Sequence, residues 1–191
     1  MSEPDESLAN PETEFQPEEP ACTYSIGIDP GWKNLGLAVV KRKEDGSIEI
    51  VKTLTVNPSE YGIVGAAEYI VEQTALAVKY KHIPKYVVIE RYVSYNNVLT
   101  TEAENIVSLI GAFQFAFKGV STHLFRAIDW KVNLVKALVR KFEFSNPSSK
   151  LDKKFSIAAA QACLQEEHKF PNDHEADAVC LASYPFITEL M

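Results

Sequence analysis

At 191 residues the chain is long enough for one domain with a real core and too short for two domains of typical size. Its 46% hydrophobic content excludes an obligately disordered protein, and eight Gly and three Cys exclude collagen-like and disulfide-scaffold classes. The 26 acids against 19 bases are unevenly placed: Glu3, Asp5, Glu6, Glu12, Glu14, Glu18 and Glu19 fall in residues 1–20, which hold no Lys or Arg, so the rest carries 19 of each sign.

Residues 1–22 are therefore read as a disordered acidic tail and 23–191 as the folded domain. Four prolines and seven acids among residues 1–20, with only Met1, Leu8 and Phe15 as large apolar groups, cannot offset the entropy of ordering. Such a tail is a solubilising leader, or an arm that docks on a basic surface or competes with nucleic acid for one. Cys22, Cys163 and Cys180 lack paired-ligand spacing, and an odd count favours reduced thiols over zinc. No apolar run is long enough to cross a bilayer and the N-terminus is acidic, so a soluble, cytoplasmic protein is expected, bacterial or from a phage within its host.

Tyr24, Ile26 and Ile28 alternate as in a strand that ends at Pro30-Gly31. Residues 36–40 and 48–54 form two more strands around an Asp45-Gly46 turn, giving an antiparallel meander. Helical spacing runs through Ile63, Ala67, Ile70 and Val78 over 60–80, with Asn57 or Ser59 as cap. The apolar run 86–89 suits a strand buried on both faces of a parallel sheet. A helix over 101–117, a strand over 122–127 and helices over 130–141, 152–166 and 174–184 follow, the last ended by Pro185. The order predicts an α/β fold: a mixed five-stranded sheet, antiparallel meander plus parallel strands, flanked by helices. GxGxxG and GxxxxGK[ST] spacings are absent, so dinucleotide and P-loop readings have no support.

Asp29 and Glu90 each sit at the exit of an apolar strand, where neighbouring strands bring their carboxylates together. A third group comes from residues 172–178, where His174 and Asp177 are three apart and Asp173 and Asp177 four apart, so either pair lies on one helical face. Asp177 stands inside the apolar stretch 176–182, where an acid has no packing purpose. Such a cluster repels itself until a hard divalent cation compensates, and carboxylates suit Mg²⁺ or Mn²⁺. Two ions so held activate a water and stabilise a phosphodiester's leaving oxygen.

These residues also resemble the RuvC-type Holliday junction resolvases of the RNase H-like superfamily, over about residues 24–183. Ile26-Gly27-Ile28-Asp29-Pro30-Gly31 resembles the first catalytic motif and Val88-Ile89-Glu90-Arg91 the second. His174-Glu175-Ala176-Asp177-Ala178 resembles the third, His174 falling where members have Asp or His. The resemblance implies an RNase H-like fold and a Mg²⁺-dependent endodeoxyribonuclease of DNA recombination and repair, with Mn²⁺ able to substitute. Asp29, Glu90, His174 and Asp177 would bind two ions, Lys153 would hold the scissile phosphate, and a homodimer would resolve four-way junctions by paired nicks. DNA contacts are expected from Lys131, Lys153, Lys154 and Arg91, with Tyr92 or Tyr95 as the aromatic at the branch point. Asp173 is a bystander or supporting group in this comparison. Alternatives are a nuclease of this fold acting on other branched or packaging DNA, and a non-cleaving branched-DNA-binding or scaffold protein; the single domain disfavours actin-like kinases.

Charge placement agrees with a nucleic-acid partner: residues 118–154 hold nine bases against three acids, and 155–191 one base against six acids. In the helix 101–117, Ile106, Phe113 and Phe117 are expected to cover the sheet, leaving Ala103, Ser108 or Phe115 for a partner subunit.

Overall fold

The computed structural model describes residues 22–94, 100–148 and 150–189. Five strands, β1 (Thr23–Asp29), β2 (Leu35–Arg42), β3 (Ile48–Val56), β4 (Tyr86–Arg91) and β5 (Ser121–Arg126), form one sheet in the order β3-β2-β1-β4-β5. The β1–β2 and β2–β3 pairs are antiparallel, and β1–β4 and β4–β5 are parallel. This is the mixed sheet expected from the sequence. The acidic tail lies outside the described residues, apart from Cys22.

Strand alternation divides the core in two. Ile26, Ile28, Val87 and Ile89 pack under α1 (Pro58–Ala77) and α2 (Thr101–Ala116). Ala38, Val40 and Val88 pack under α3 (Ala127–Phe142), α4 (Lys153–Leu164) and α5 (Asp173–Thr188). Period-2 geometry therefore turns Ser25, Gly27 and Asp29 of β1, and Val88 and Glu90 of β4, toward the face that carries α5.

α5 is buried from Glu175 to Ile187 except at Asp177, as expected of a helix apolar on nearly all sides. It lies directly on the β1 and β2 backbones because Gly27 and Gly36 leave room. A Cβ on Gly27 would come within 2.0 Å of the Ala178 carbonyl oxygen and 2.4 Å of the Ala182 nitrogen; one on Gly36 would come within 2.2 Å of the His174 carbonyl oxygen. Both obstacles are backbone and cannot swing aside. Gly27→Ala is expected to destabilise the fold by roughly 3 kcal/mol or prevent folding, read by urea denaturation; a loss below about 1 kcal/mol would mean that α5 is not seated as described.

Several predicted boundaries move, and one residue expected at the surface is buried. The predicted helix over 60–80 begins at Pro58, capped by the Asn57 side chain, and is interrupted at Gly62 (φ 71°). Pro185, expected to end the last helix, lies within α5, which continues to Thr188. Burial of Tyr184, Phe186 and Ile187 there outweighs the backbone hydrogen bond that proline lacks. Ala103, expected to face a partner, is 1% exposed beneath its own α2, whereas Ser108 is exposed and Phe115 is 73% exposed. Cys163 and Cys180 are buried free thiols and Cys22 is half-buried. Among the described residues no helix is long and apolar enough to cross a membrane.

Candidate active site

Asp29 ends β1 and Glu90 stands at the exit of β4, one position beyond the registered pair Ile28–Ile89. The two carboxylates are thus strand neighbours on the α5 face. The α5 N-terminus closes over them. Asn172 caps it by accepting the Glu175 backbone N–H at 3.0 Å, its amide donates to Thr55 Oγ1 at 2.8 Å, and that hydroxyl donates to Glu175 at 3.1 Å. This network fixes the first turn of α5 to β3 and aims His174 and Asp177 at the strand exits.

Each member has its own partner. His174 Nδ1 and Asp29 Oδ2 are 2.8 Å apart. The buried Trp130 indole donates to Glu90 Oε2 at 2.9 Å. Lys131 Nζ donates to Asp177 Oδ2 at 3.0 Å and to Ser156 Oγ at 3.4 Å. The Lys131 and Asp177 side chains are 12% and 14% exposed, a largely desolvated ion pair. Lys153 pairs with Asp173 at 2.6 Å on the exposed rim.

Burial pushes the Glu90 carboxyl up to about 7, helped by Asp29 and Asp177 and opposed by the Trp130 hydrogen bond. Burial likewise raises Asp177, against the pull of Lys131 and with Asp29 adding to the rise. For Lys131 burial works the other way, yet Asp177 holds the ammonium above its ordinary value, so it stays charged. The hydrogen bond to Asp29 raises the His174 imidazole, with desolvation opposing.

The structure brings together four of the residues singled out from the sequence, Asp29, Glu90, His174 and Asp177, and adds Lys131 among them. Lys131 is turned inward rather than lying on a surface. Lys153, Lys154 and Arg91 are exposed around the rim. Tyr92 is half-buried against the core under α1 and α2, and Tyr95 lies outside the described residues. Trp130 and the Thr55–Asn172–Glu175 network are supporting groups that sequence reasoning passes over. An aromatic in an amphipathic helix reads as core, and a hydroxyl on β3 gives no sign that it meets α5. The indole N–H, which needs an acceptor when buried, is the available hint.

Whether a divalent cation suits this edge is decided by its donors and their placement. Among the described residues no three His, Cys, Asp or Glu side chains stand as a metal-ligand cluster. The groups nevertheless fit one: three carboxylates and an imidazole share one sheet edge, Asp29 and Asp177 raise the Glu90 pKa, and Asp177 Oδ1 is buried with no hydrogen-bond partner. An orphaned carboxylate oxygen of this kind is costly unless something positive meets it.

By sequence, no family model and no curated protein matches the chain. Solved structures do match. RuvC from Thermus thermophilus, determined with a Holliday junction substrate, is 20% identical, covers 86% of this chain and 94% of its own, and superposes with a TM-score of 0.63. Another T. thermophilus RuvC structure is 22% identical with the same coverage and TM-score. The yeast mitochondrial Holliday junction resolvase Ydc2 is 17% identical over 86% of this chain and 78% of its own, with a TM-score of 0.50. The fold is RNase H-like. In this RNase H-like domain the acidic edge lies at the C-terminal ends of the central parallel strands, where ligands bind in open α/β sheets.

Proposed function

We propose that the chain is a divalent-metal-dependent endonuclease that resolves four-way DNA junctions by paired symmetric nicks, in DNA recombination and repair. One observation carries the reading: Asp29, Glu90 and Asp177 converge on one sheet edge, and the first and last raise the Glu90 pKa. The likeness to junction resolvases supports the substrate class.

Asp29, Glu90, Asp177 and His174 would hold Mg²⁺, two ions in all, with Mn²⁺ as a substitute. Bound there, the ions supply an activated water and charge stabilisation for the departing oxygen. The protein's own groups do the rest. Trp130 fixes Glu90, and the Thr55–Asn172–Glu175 network holds the α5 end in place, so the donors need little rearrangement. Pairing of His174 Nδ1 with Asp29 leaves Nε2 to bind a metal or take a proton. Lys153, which pairs with Asp173 on the rim, would hold the scissile phosphate, with Lys154 and Arg91 on the neighbouring backbone, and Lys131 neutralises part of the acidic edge. Tyr92 or Tyr95 serves at the branch point. Residues 1–22 form the acidic tail and 23–191 the nuclease domain.

Two symmetric cuts need two sites, so a homodimer follows. The apolar groove between α1 and α2 suits it: Val64, Tyr80 and Phe115 are 67%, 70% and 73% exposed on its walls. Phe115→Glu is expected to give a folded monomer by sedimentation velocity and to lower paired nicking by about tenfold or more, since one buried charge at an interface costs several kcal/mol. An unchanged sedimentation coefficient would place the interface elsewhere.

The deciding experiment is cleavage of synthetic four-way, three-way and linear DNA in Mg²⁺ and in Mn²⁺, mapped on each strand, with the wild type and Asp177→Asn. Symmetric cuts confined to the four-way substrate and absent from the variant are expected. Equal nicking of linear duplex would overturn the junction reading, and binding without cleavage in either metal would favour the scaffold alternative.

A further inference from the structure

The bases of residues 118–154 do not form one surface. Lys131 and Lys153 stand at the acidic edge, each paired with an aspartate, while α3 carries Lys136, Arg140 and Lys141 toward the opposite end of the sheet. There Arg42 ends β2 and Lys85 precedes β4, and with Arg140 they line a groove walled by Thr23 and Phe186. Arg42, Lys85, Lys136 and Arg140 are exposed, and none makes an ion pair among the described residues. Arg42 lies over the Phe186 ring at 6.0 Å and Lys85 over Tyr86 at 5.2 Å. The acid among the described lining residues, Glu189, pairs with Lys141 at 2.6 Å and also lies within the field of Arg140 and Arg42, so one carboxylate faces several cations and the pole stays net positive. Unpaired cations held over aromatic rings make a surface that wants an anion.

We propose that this basic pole is a docking surface for the chain's own acidic N-terminal segment. Thr23, which forms its wall, is where that segment joins the fold. Glu18 and Glu19 lie within about 18 Å of Thr23 even along a fully extended chain. All seven acids of residues 1–20 are tethered without a compensating base, and tethering of this length sets a local concentration in the millimolar range. The neighbouring groove beside Cys22 and Tyr24 is a poorer host. Its Lys41 and Lys43 both pair with Glu49, and Glu44 and Asp45 also line it. The acidic edge is poorer still, being anionic and a strand length away, about 20 Å. Docking neutralises the pole, so that polyanions meet the cations of the rim rather than those of the far end. The inference rests on charge and position and does not depend on the nuclease reading.

The test compares the full-length chain with a full-length variant carrying Glu→Gln or Asp→Asn at all seven tail acids. Backbone amide signals of Thr23, Lys85, Arg140 and Thr188 are expected to differ between the two at ~50 mM NaCl and to converge at ~1 M, where screening shortens to about 3 Å. Arg42→Glu with Arg140→Glu, in each background, is expected to remove the difference. Non-specific binding to linear duplex in EDTA is expected to tighten about tenfold when the tail is neutralised, and to be indifferent to the tail once the pole is reversed. Identical spectra would overturn the proposal. So would tail-dependent shifts centred on Lys153, Lys154 and His174, or shifts that scale with protein concentration, which would mean docking on a second copy. Should the pole variant not fold, the salt titration of the wild type against the neutral-tail chain still decides.

Discussion

Asp29→Asn is expected to lower metal-dependent cleavage of a four-way junction by on the order of 10³-fold while junction affinity in EDTA changes by less than about threefold. The side chain is 14% exposed and touches His174, and asparagine keeps its size and an oxygen for that contact, so the fold survives. What is lost is charge at the point where Asp29, Glu90 and Asp177 meet. Two secondary effects identify the cause. His174 loses the partner that raises its pKa, so its imidazole titrates closer to the ordinary value. Glu90 loses one of the charges that push its carboxyl up, so it ionises at lower pH. Single-turnover cleavage, fluorescence anisotropy in EDTA, and NMR titrations of His174 and of Glu90 read these four effects. Cleavage within about tenfold of wild type would remove Asp29 from the reacting centre.

Glu90→Gln separates the cost of the site from its use. In the metal-free protein the Glu90 carboxyl is raised from 4.5 to about 7, so between those values the folded chain binds a proton that the unfolded chain has released. Stability therefore falls as pH rises through that window, by roughly 3 kcal/mol for this group. His174 and Asp177 are also raised and give slopes of the same sign, so the difference between wild type and variant isolates Glu90. Glutamine is neutral throughout and still accepts the Trp130 N–H. Urea denaturation in EDTA is expected to show the variant more stable than wild type at pH 8 and level with it near pH 4.5, with cleavage abolished. Adding Mg²⁺ at pH 8 is expected to stabilise the wild type and not the variant, since a ligand of the folded state adds to its stability. Parallel pH profiles would mean that burial and the neighbouring carboxylates do not raise the Glu90 carboxyl.

Much of the arrangement was legible because strand alternation is a local property. The alternation of Tyr24, Ile26 and Ile28 turns Asp29 to the opposite face, and the continuous apolar run before Glu90 marks a strand buried on both sides, its acid at the exit. A spacing of three positions from His174 to Asp177 puts both on one face of α5. Helix ends were less legible. Pro185 satisfies the local rule for a stop, but the rule yields where Phe186 and Ile187 gain more from burial than one backbone hydrogen bond costs. Ala103, assigned to a partner-facing surface, is buried, since spacing alone does not fix the edges of a broad apolar stripe.

The linear charge pattern misled in a more instructive way. Net charge over a sequence window treats Lys131, Arg140 and Lys153 as one basic flank, yet α3 runs along the sheet and carries Lys131 and Arg140 to opposite poles, while Lys153, at the start of α4, returns to the acidic edge. The sequence by itself determined the sheet's composition, which acids stand at strand exits, and that the excess negative charge belongs to residues 1–20. Only the tertiary structure decided which partner each charge meets: Lys131 with Asp177, Trp130 with Glu90, His174 with Asp29, and the bases gathered at the far pole without an ion pair among the described residues. The reason is physical. Periodicity follows from the backbone geometry of a single element, whereas an ion pair or a shifted pKa depends on distance and desolvation between elements far apart in the chain, here set by α5 resting on Gly27 and Gly36.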